Sequence, residues 1–324
     1  MERKKVYITR KIPDIGINLL KQYFEVEINM EDRPLTKEEL ITNIEDKDAV
    51  LCQLTDLIDK EVYDRAKRVK IFANYAVGFN NIDVDEATKR GIIITNTPGV
   101  LSDVTADLAW TLLLSVARRI VEADKYTRAG KFKCWSPTLF LGQDLVGKTL
   151  GIIGAGRIGK TLAKRSIGFE MKILYHNRKR DEEMEKMFNA KWVDKDTLLK
   201  ESDFISLHVP LTKETYHMIG EREFKLMKET AILINTARGP VVDEKALVKA
   251  LKEKEIWGAG LDVYEKEPEV EEDLKKMDNV VLVPHIGSAT INTRDNMAKI
   301  AAKNIIAVLN NEKPLTPVND INHK

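Results

Sequence analysis

Polar residues that are suited to acid–base chemistry follow three strand-like segments in the second half of the chain. The segments are residues 235–239 with Arg238, 262–268 with Glu267, and 284–287 with His285. A guanidinium could clamp a substrate carboxylate, and an imidazole could hand a proton to the adjacent carbonyl oxygen. A carboxylate that is hydrogen-bonded to this imidazole would favour its protonated form. Because ligands bind at the carboxyl ends of strands in open α/β sheets, we expect the three residues to converge there.

Each of these residues also has an ordinary structural explanation. An arginine after a strand is more often part of a structural ion pair, and a histidine flanked by proline is more often a capped loop residue. Glu267 stands among other glutamates, most of which would face water. Only the combination of the three favours catalysis. Of the other histidines, we expect His217 and His323 to face solvent.

A glycine-rich turn lies between a predicted strand, residues 149–153, and a predicted helix. Gly154, Gly156 and Gly159 have the spacing G-x-G-x-x-G. The first glycine permits a tight turn, the second lets the backbone approach a pyrophosphate, and the third lets helix and strand pack closely. Free N–H groups and the positive end of the helix would then hold the phosphates. This context favours dinucleotide binding over a purely structural turn.

The residues after the next predicted strand, 172–175, indicate which dinucleotide binds. An acidic residue there would bind a ribose 2′-hydroxyl and repel a 2′-phosphate. Asn177 carries no charge, whereas Arg178, Lys179 and Arg180 are cationic and suit a phosphate. We therefore predict that NADP(H) is preferred, with NAD(H) as the alternative cofactor. The competing interpretation is that these cations only solvate a loop.

Composition and charge exclude several classes of protein. The 324 residues are enough for two domains, and the net charge of +1 indicates neither a nucleic-acid nor a membrane partner. No apolar run reaches membrane-spanning length, and no secretory signal is expected. Cys52 and Cys134 form no disulfide framework and no metal-ligand pattern. We expect a cytoplasmic protein without a metal site that acts on a small molecule.

Strand and helix patterns alternate along the whole chain, which predicts an α/β fold with mainly parallel sheets. A hinge is expected at residues 96–99, a long helix at about 104–124, an irregular segment at 130–147, and a last helix at 292–309. The predicted strands lie at residues 6–9, 25–28, 49–52, 70–73, 92–95, 149–153, 172–175, 192–193, 204–207, 231–234, 258–261 and 280–283.

Five motifs follow one another in a fixed order. They are Gly-Ala-Gly-Arg-Ile-Gly (154–159), His-Val-Pro-Leu (208–211), Asn-Thr-Ala-Arg-Gly-Pro-Val-Val-Asp (235–243), Gly-Leu-Asp-Val-Tyr-Glu-Lys-Glu-Pro (260–268) and Pro-His-Ile-Gly-Ser-Ala (284–289). With these motifs, the sequence resembles the D-2-hydroxyacid dehydrogenase family over nearly its whole length.

The resemblance implies a set of site residues. Arg238, Glu267 and His285 would be catalytic, with Arg238 and His285 also binding the substrate, and Val77 and Gly78 would present N–H groups to its carboxylate. Expected cofactor-binding residues, from the turn, the cations and the resemblance together, are Thr105, Gly154, Ala155, Gly156, Arg157, Ile158, Gly159, Asn177, Arg178, Lys179, His208, Pro210, Thr236, Ala237, Asp262 and Gly287.

The family architecture implies two doubly wound domains. Residues 101–286 would form a Rossmann dinucleotide-binding domain, and residues 1–100 with 287–324 a discontinuous, flavodoxin-like substrate domain. The last helix would thus return to the first domain. A homodimer is also implied. Trp135 would then either reach the partner's substrate or anchor the dimer interface.

Within the family, the chain looks most like the glyoxylate/hydroxypyruvate reductases. The implied reaction is NADPH-dependent reduction of glyoxylate to glycolate and of hydroxypyruvate to D-glycerate. Two alternatives stay open. One is a related dehydrogenase for phosphoglycerate or bulkier hydroxy acids, and the other is a dinucleotide-sensing scaffold without catalytic activity.

Overall fold

A computed structural model describes residues 3–321, so His323 lies outside the described residues. The chain divides into two compact units. Unit 1 combines the residues up to Val100 with those from Ala289, and unit 2 is Leu101–Ser288. Both units are α/β and each contains one parallel sheet, which confirms the predicted fold class.

The described chain contains strands and helices in alternation. The strands are β1 (Lys5–Ile8), β2 (Glu25–Ile28), β3 (Ala49–Cys52), β4 (Ile71–Asn74), β5 (Ile93–Thr95), β6 (Thr149–Ile153), β7 (Lys172–His176), β8 (Lys191–Trp192), β9 (Phe204–Leu207), β10 (Ile232–Asn235), β11 (Gly258–Leu261) and β12 (Val280–Leu282). The helices are α1 (Asp14–Lys21), α2 (Lys37–Ile44), α3 (Lys60–Arg65), α4 (Val84–Lys89), α5 (Ser102–Ala117), α6 (Ile120–Arg128), α7 (Arg157–Ser166), α8 (Glu182–Phe188), α9 (Lys195–Glu201), α10 (Glu221–Leu226), α11 (Glu244–Lys252) and α12 (Ile291–Leu309).

Unit 1 has the strand order β2-β1-β3-β4-β5, which is the flavodoxin-like order. Helix α12 belongs to this unit although it lies at the far end of the chain. Its Ala298 packs so closely on α1 that a Cβ at Gly16 would lie 2.8 Å from the Ala298 Cβ. Asn304, which is fully buried in α12, accepts the N–H groups of Leu315 and Thr316 at 2.8 and 3.1 Å. These contacts hold the end of the chain against unit 1.

Unit 2 has the strand order β12-β11-β10-β9-β6-β7-β8, and all of its strand pairs are parallel. The order reverses between β6 and β9, as in a Rossmann fold. The strands are almost entirely buried because helices cover both faces of the sheet. The carboxyl ends of β6, β9, β10, β11 and β12 therefore meet along one edge.

The long helix that was predicted for residues 104–124 is wrong in one respect. Helix α5 ends at Ala117, and α6 begins after Arg119, which has a left-handed backbone with φ of 54°. The carbonyl of Ala117 accepts the N–H of Gln143 at 2.8 Å, and Gly142 approaches the same carbonyl so closely that a Cβ there would clash. The irregular segment thus ends the helix through a contact between residues far apart in the sequence.

Within residues 3–321, no helix combines the length and the apolar character that crossing a membrane requires. Over the same span, no three His, Cys, Asp or Glu side chains are grouped so that they could hold a metal ion. Cys52 is buried and Cys134 is exposed, and both thiols are free.

Candidate active site

The three residues singled out for acid–base chemistry lie beyond the ends of three neighbouring strands. Strand β10 pairs with β11, and β11 pairs with β12, so their carboxyl ends are adjacent. Arg238 follows β10, Glu267 lies in the loop after β11, and His285 follows β12. The sheet order therefore brings together residues that are up to 47 positions apart (285 − 238) in the sequence.

Glu267 is the centre of this group. Its Oε2 lies 2.8 Å from His285 Nδ1, and its Oε1 accepts the N–H of Tyr264 at 3.1 Å. The side chains of His285 and Glu267 are 26% and 29% exposed, so a small molecule could reach the pair. Since Nδ1 faces the carboxylate, Nε2 is the nitrogen that remains for a reacting group.

Burial and charge act against each other in this group. Burial alone would raise the pKa of Glu267, but the hydrogen bond and charge of His285, with the charge of Arg238, lower it below its ordinary value. Burial lowers the pKa of Arg238, and Glu267 opposes that shift. Arg238 is nevertheless cationic at neutral pH because guanidinium pKa values lie so far above 7. A half-buried cation therefore lies beside a carboxylate–imidazole pair.

The turn that carries His285 is held by Asp262. Its Oδ1 accepts the N–H of Ile286 at 2.6 Å, and its Oδ2 accepts that of Gly287 at 2.8 Å. Burial raises the pKa of Asp262 to about 6, and the N–H groups of Ile286 and Gly287 oppose that shift. His285 itself has a left-handed backbone with φ of 52°, which non-glycine residues rarely adopt. The surrounding bonds hold this strained residue in place.

The turn that carries Arg238 is also fixed by local bonds. Asn235, which is buried, donates from Nδ2 to the carbonyl of Arg238 at 3.0 Å and accepts the N–H of Ala237 at 3.0 Å. Arg238 Nη1 donates to the carbonyl of Ala237 at 2.8 Å. Gly239 lies against Tyr264 so closely that a Cβ would be 1.8 Å from the Tyr264 carbonyl oxygen. The Arg238 and Glu267 segments are therefore in direct backbone contact.

The glycine-rich turn after β6 has the geometry that a dinucleotide needs. Gly154 has φ of 100°, and a Cβ there would lie 2.7 Å from the carbonyl of His208. A Cβ at Gly159 would lie 2.2 Å from the carbonyl of Gly154, which explains the close packing of α7. In contrast, the space beyond Gly156 is open. Within residues 3–321, the N–H groups of Ala155 and Gly156 find no acceptor, so they are available to phosphates.

Helix α7 starts at this turn, with Arg157 and Ile158 as its first residues and no side-chain cap. Two buried polar atoms directly after β9 and β10, His208 Nδ1 and Thr236 Oγ1, have no hydrogen-bond partner among the described residues. Burial lowers the pKa of His208 to about 4, so its ring is neutral, and its Nε2 lies 2.9 Å from Ser206 Oγ. Such orphaned groups, in a Rossmann unit with an open glycine turn, fit a bound dinucleotide.

The residues after β7 do not act as one cationic cluster. Arg180 is paired with Glu185 through two bonds of 3.0 and 2.7 Å. Neither Arg178 nor Lys179 forms an ion pair within residues 3–321. Trp192 Nε1 donates to the carbonyl of Asn177 at 3.1 Å and so fixes the start of this loop. The cations that remain for a 2′-phosphate are therefore Arg178 and Lys179, the two that stand among the expected cofactor-binding residues.

The other expected site residues lie in both units. In unit 2, Thr105 Oγ1 donates to the carbonyl of Gly287 at 3.0 Å, and Pro210 accepts Thr215 Oγ1 at 2.7 Å. Trp135 is 80% exposed in the irregular segment. In unit 1, the carbonyls of Val77 and Gly78 are each bonded to an asparagine at 2.8 Å, and their N–H groups have no acceptor within residues 3–321.

One expectation about the histidines is wrong. His217 does not simply face solvent: its side chain is 30% exposed, and its Nε2 lies 3.0 Å from Glu265 Oε1. Sequence reasoning missed this contact because Glu265 lies 48 residues further along the chain. The one available indication was that Glu265 stands two residues before Glu267 in the same motif.

Comparisons with known proteins show the family to which the chain belongs. Residues 110–287 match the family described as D-isomer specific 2-hydroxyacid dehydrogenase, NAD binding domain. The chain is 57% identical over 321 residues to a glyoxylate reductase from Thermococcus litoralis, covering 98% of this chain and 97% of the relative. A glyoxylate reductase from Pyrococcus horikoshii is 54% identical over 321 residues, with 98% and 96% covered.

Solved structures give the same result. A Thermus thermophilus protein is 43% identical with a TM-score of 0.91, covering 97% of this chain and all of the other. An NADPH-dependent glyoxylate/hydroxypyruvate reductase from Sinorhizobium meliloti, in complex with NADP and malonate, is 31% identical with a TM-score of 0.85, with 98% and 97% covered. The chain therefore belongs to the D-isomer specific 2-hydroxyacid dehydrogenase family and is an oxidoreductase.

Proposed function

We propose that this enzyme uses NADPH to reduce small 2-oxo acids, glyoxylate to glycolate and hydroxypyruvate to D-glycerate. The observation that carries the proposal is the 2.8 Å contact between Glu267 and His285, beside Arg238, at the ends of three adjacent strands. The names of the relatives from Thermococcus, Pyrococcus and Sinorhizobium support this class of substrate.

The residues of the group have complementary tasks in this reaction. A bound nicotinamide would supply the hydride that reduces C2 of the substrate. Arg238 would bind the substrate carboxylate as a planar fork and stabilise negative charge on the neighbouring oxygen. His285 would donate the proton of Nε2 to that oxygen, and Glu267 would orient the ring and stabilise its charge.

The glycine-rich turn would hold the cofactor. The open space at Gly156 and the N–H groups of Ala155 and Gly156 suit its phosphates, with Arg157, Ile158 and Thr105 nearby in the predicted site. Asn177, Arg178 and Lys179 would bind the adenosine 2′-phosphate. His208, Pro210, Thr236, Ala237, Asp262 and Gly287 would line the remaining cofactor surface.

We expect a panel of 2-oxo acids, assayed with NADPH, to give the highest kcat/KM with glyoxylate or hydroxypyruvate. The physical reason is that a single guanidinium fork and a single proton donor match a short molecule with one carboxylate next to one carbonyl. The measurement is the loss of NADPH absorbance. A preference for bulkier or phosphorylated acids would overturn the substrate assignment, and no oxidation with any acid would favour a non-catalytic scaffold.

We expect Arg178→Ser to lower kcat/KM for NADPH by about tenfold to a hundredfold and to leave NADH kinetics unchanged. A hydrogen bond to a charged group contributes about 1.5–3 kcal/mol, and 1.4 kcal/mol is about tenfold. Arg180→Ser is the matched control, because Glu185 already occupies that guanidinium. Equal effects of Arg178→Ser on both cofactors, or a wild-type enzyme that prefers NADH, would refute phosphate recognition.

We also propose that the enzyme is a cytoplasmic homodimer. The support is that the irregular segment carries exposed apolar side chains: Phe132, Trp135, Leu141 and Val146 are 56%, 80%, 60% and 64% exposed. Apolar surface of this kind is usually covered by a partner. A reducing compartment suits the two free thiols. Trp135 would then lie either at the dimer interface or near the partner's substrate.

A further inference from the structure

A second histidine–glutamate pair lies close to the pair of Glu267 and His285. The two glutamates belong to the same loop, which follows β11. Glu265 contacts His217 at 3.0 Å, and two residues later Glu267 contacts His285 at 2.8 Å. Both histidines have left-handed backbones, with φ of 48° for His217 and 52° for His285. Two strained histidines are thus each bonded to a carboxylate of one short turn.

A reciprocal pair of hydrogen bonds joins Glu265 to the first residue of α11. The N–H of Glu265 donates to Glu244 Oε1 at 2.6 Å, and the N–H of Glu244 donates to Glu265 Oε2 at 3.3 Å. Glu244 is only 5% exposed, so these bonds are largely shielded from water. Glu244, Glu265 and His217 together form a hydrogen-bonded unit, the clasp.

The clasp adds hydrogen bonds between the segment that carries Arg238 and the segment that carries Glu267. Arg238 and Glu244 lie at opposite ends of the segment that presses Gly239 against Tyr264. His217 extends the contact, because its N–H donates to the carbonyl of Pro240 at 2.8 Å. The N–H of Tyr264, next to the clasped residue, donates to Glu267. A contiguous set of bonds therefore runs from Glu244 through the Tyr264–Glu265 turn to Glu267 and His285.

We propose that the clasp is a positioning unit, which holds the Tyr264 N–H where it orients Glu267 and thereby keeps His285 and Arg238 in register for proton donation. The inference rests on the proposed function for its kinetic consequence, but the hydrogen bond between Glu267 and His285 can be observed without substrate. The clasp residues themselves touch no reacting atom in this scheme. Their effect reaches the substrate only through Glu267, His285 and Arg238.

The first test is Glu244→Leu in the full-length enzyme. Leucine removes the acceptor for the Glu265 N–H, whereas Glu244→Gln keeps an amide oxygen there and should restore the wild-type behaviour. Glu221→Leu is the matched control: Glu221 is likewise the first residue of a helix, but among residues 3–321 its carboxylate pairs only with Lys249, at the surface. Glu244→Leu removes both the bond to Glu265 and a charge at a helix N-terminus. Glu244→Gln removes only the charge there, and Glu221→Leu removes a charge at the N-terminus of another helix.

The effect of each substitution is measured by NMR and by enzyme kinetics. In protein labelled with ¹⁵N-histidine, the imidazole N–H resonance of His285, assigned by its absence in His285→Ala, should broaden or disappear in Glu244→Leu and persist in Glu244→Gln and Glu221→Leu. In the assay, Glu244→Leu should lower kcat by about tenfold to a hundredfold, because small displacements of catalytic groups have effects of this size. The Kd for NADPH should stay within about twofold, since the glycine-rich turn is untouched.

A folded Glu244→Leu enzyme that keeps both the resonance and kcat would overturn the proposal. If that variant does not fold, Glu265→Ala takes its place, because the Glu265 side chain is 21% exposed and its removal leaves a smaller buried gap. Retention of the His285 resonance in folded Glu265→Ala would overturn the proposal equally. If the wild type reduces no 2-oxo acid but the resonance responds as expected, the proposed function fails and the positioning role stands.

Discussion

Replacing His285 with alanine should lower kcat for 2-oxo acid reduction by about 10²–10⁴ and leave the Kd for NADPH nearly unchanged. General acid catalysis contributes rate factors of this size. Without the imidazole, the developing oxyanion must take its proton from water, while the cofactor contacts after β6 and β7 remain. Steady-state kcat and the fluorescence of bound NADPH measure the two quantities separately.

The left-handed backbone of His285 calls for a second variant. Asparagine tolerates this conformation well, so His285→Asn removes the acid without adding the strain that alanine would experience at φ of 52°. Both variants should lose a similar factor in kcat. If either enzyme, with unfolding temperature close to that of the wild type, keeps kcat within tenfold, His285 is not the proton donor.

Replacing Arg238 with glutamine should lower kcat/KM for glyoxylate by about 10²–10³, through both KM and kcat. Removing one partner of a buried charge pair costs about 3–5 kcal/mol, and 1.4 kcal/mol corresponds to about tenfold. We use the lower part of this energy range because Arg238, Glu267 and His285 are only partly shielded from water. Arg238→Lys should recover only part of the loss, since an ammonium keeps the charge but not the planar fork.

The amide of the substrate gives this prediction a sharp control. Wild type should discriminate strongly against the amide, which lacks the carboxylate, whereas Arg238→Gln should discriminate weakly. Arg222→Gln is the matched surface variant, because the Arg222 side chain is 61% exposed, pairs with Asp196 and Glu223, and is not among the predicted site residues. A loss in Arg238→Gln that is equal for acid and amide would mean that Arg238 does not bind the carboxylate.

Local features of the chain were predictable because they depend on neighbours in the sequence. The sequence Thr-Lys-Glu-Glu at residues 36–39 has the pattern of a capping box, and Thr36 and Glu39 form one, with bonds of 3.2 and 2.8 Å between each side chain and the other's N–H. The turn at Gly154 has the positive φ that its motif predicts. Strand positions also followed from short apolar runs, since buried parallel strands contain little else.

Contacts between distant segments were not predictable in the same way. Nothing near Ala117 indicates that Gln143 will take its carbonyl and end α5. The ion pair of Arg180 was not predicted either, because it depends on the position of Glu185 on α8. His217 was expected in water because its partner, Glu265, is brought to it by the packing of two loops.

The amino-acid sequence alone therefore determined the type of each element, the glycine-rich turn and the polar residues that follow β10, β11 and β12. These properties come from backbone preferences and from patterns within a few residues. The tertiary structure decided which of those residues meet, and that Glu267 bonds to His285 while Glu265 bonds to His217 and Glu244. The physical reason is that strand order and loop packing set the distances between residues that the chain separates by 18 to 48 positions.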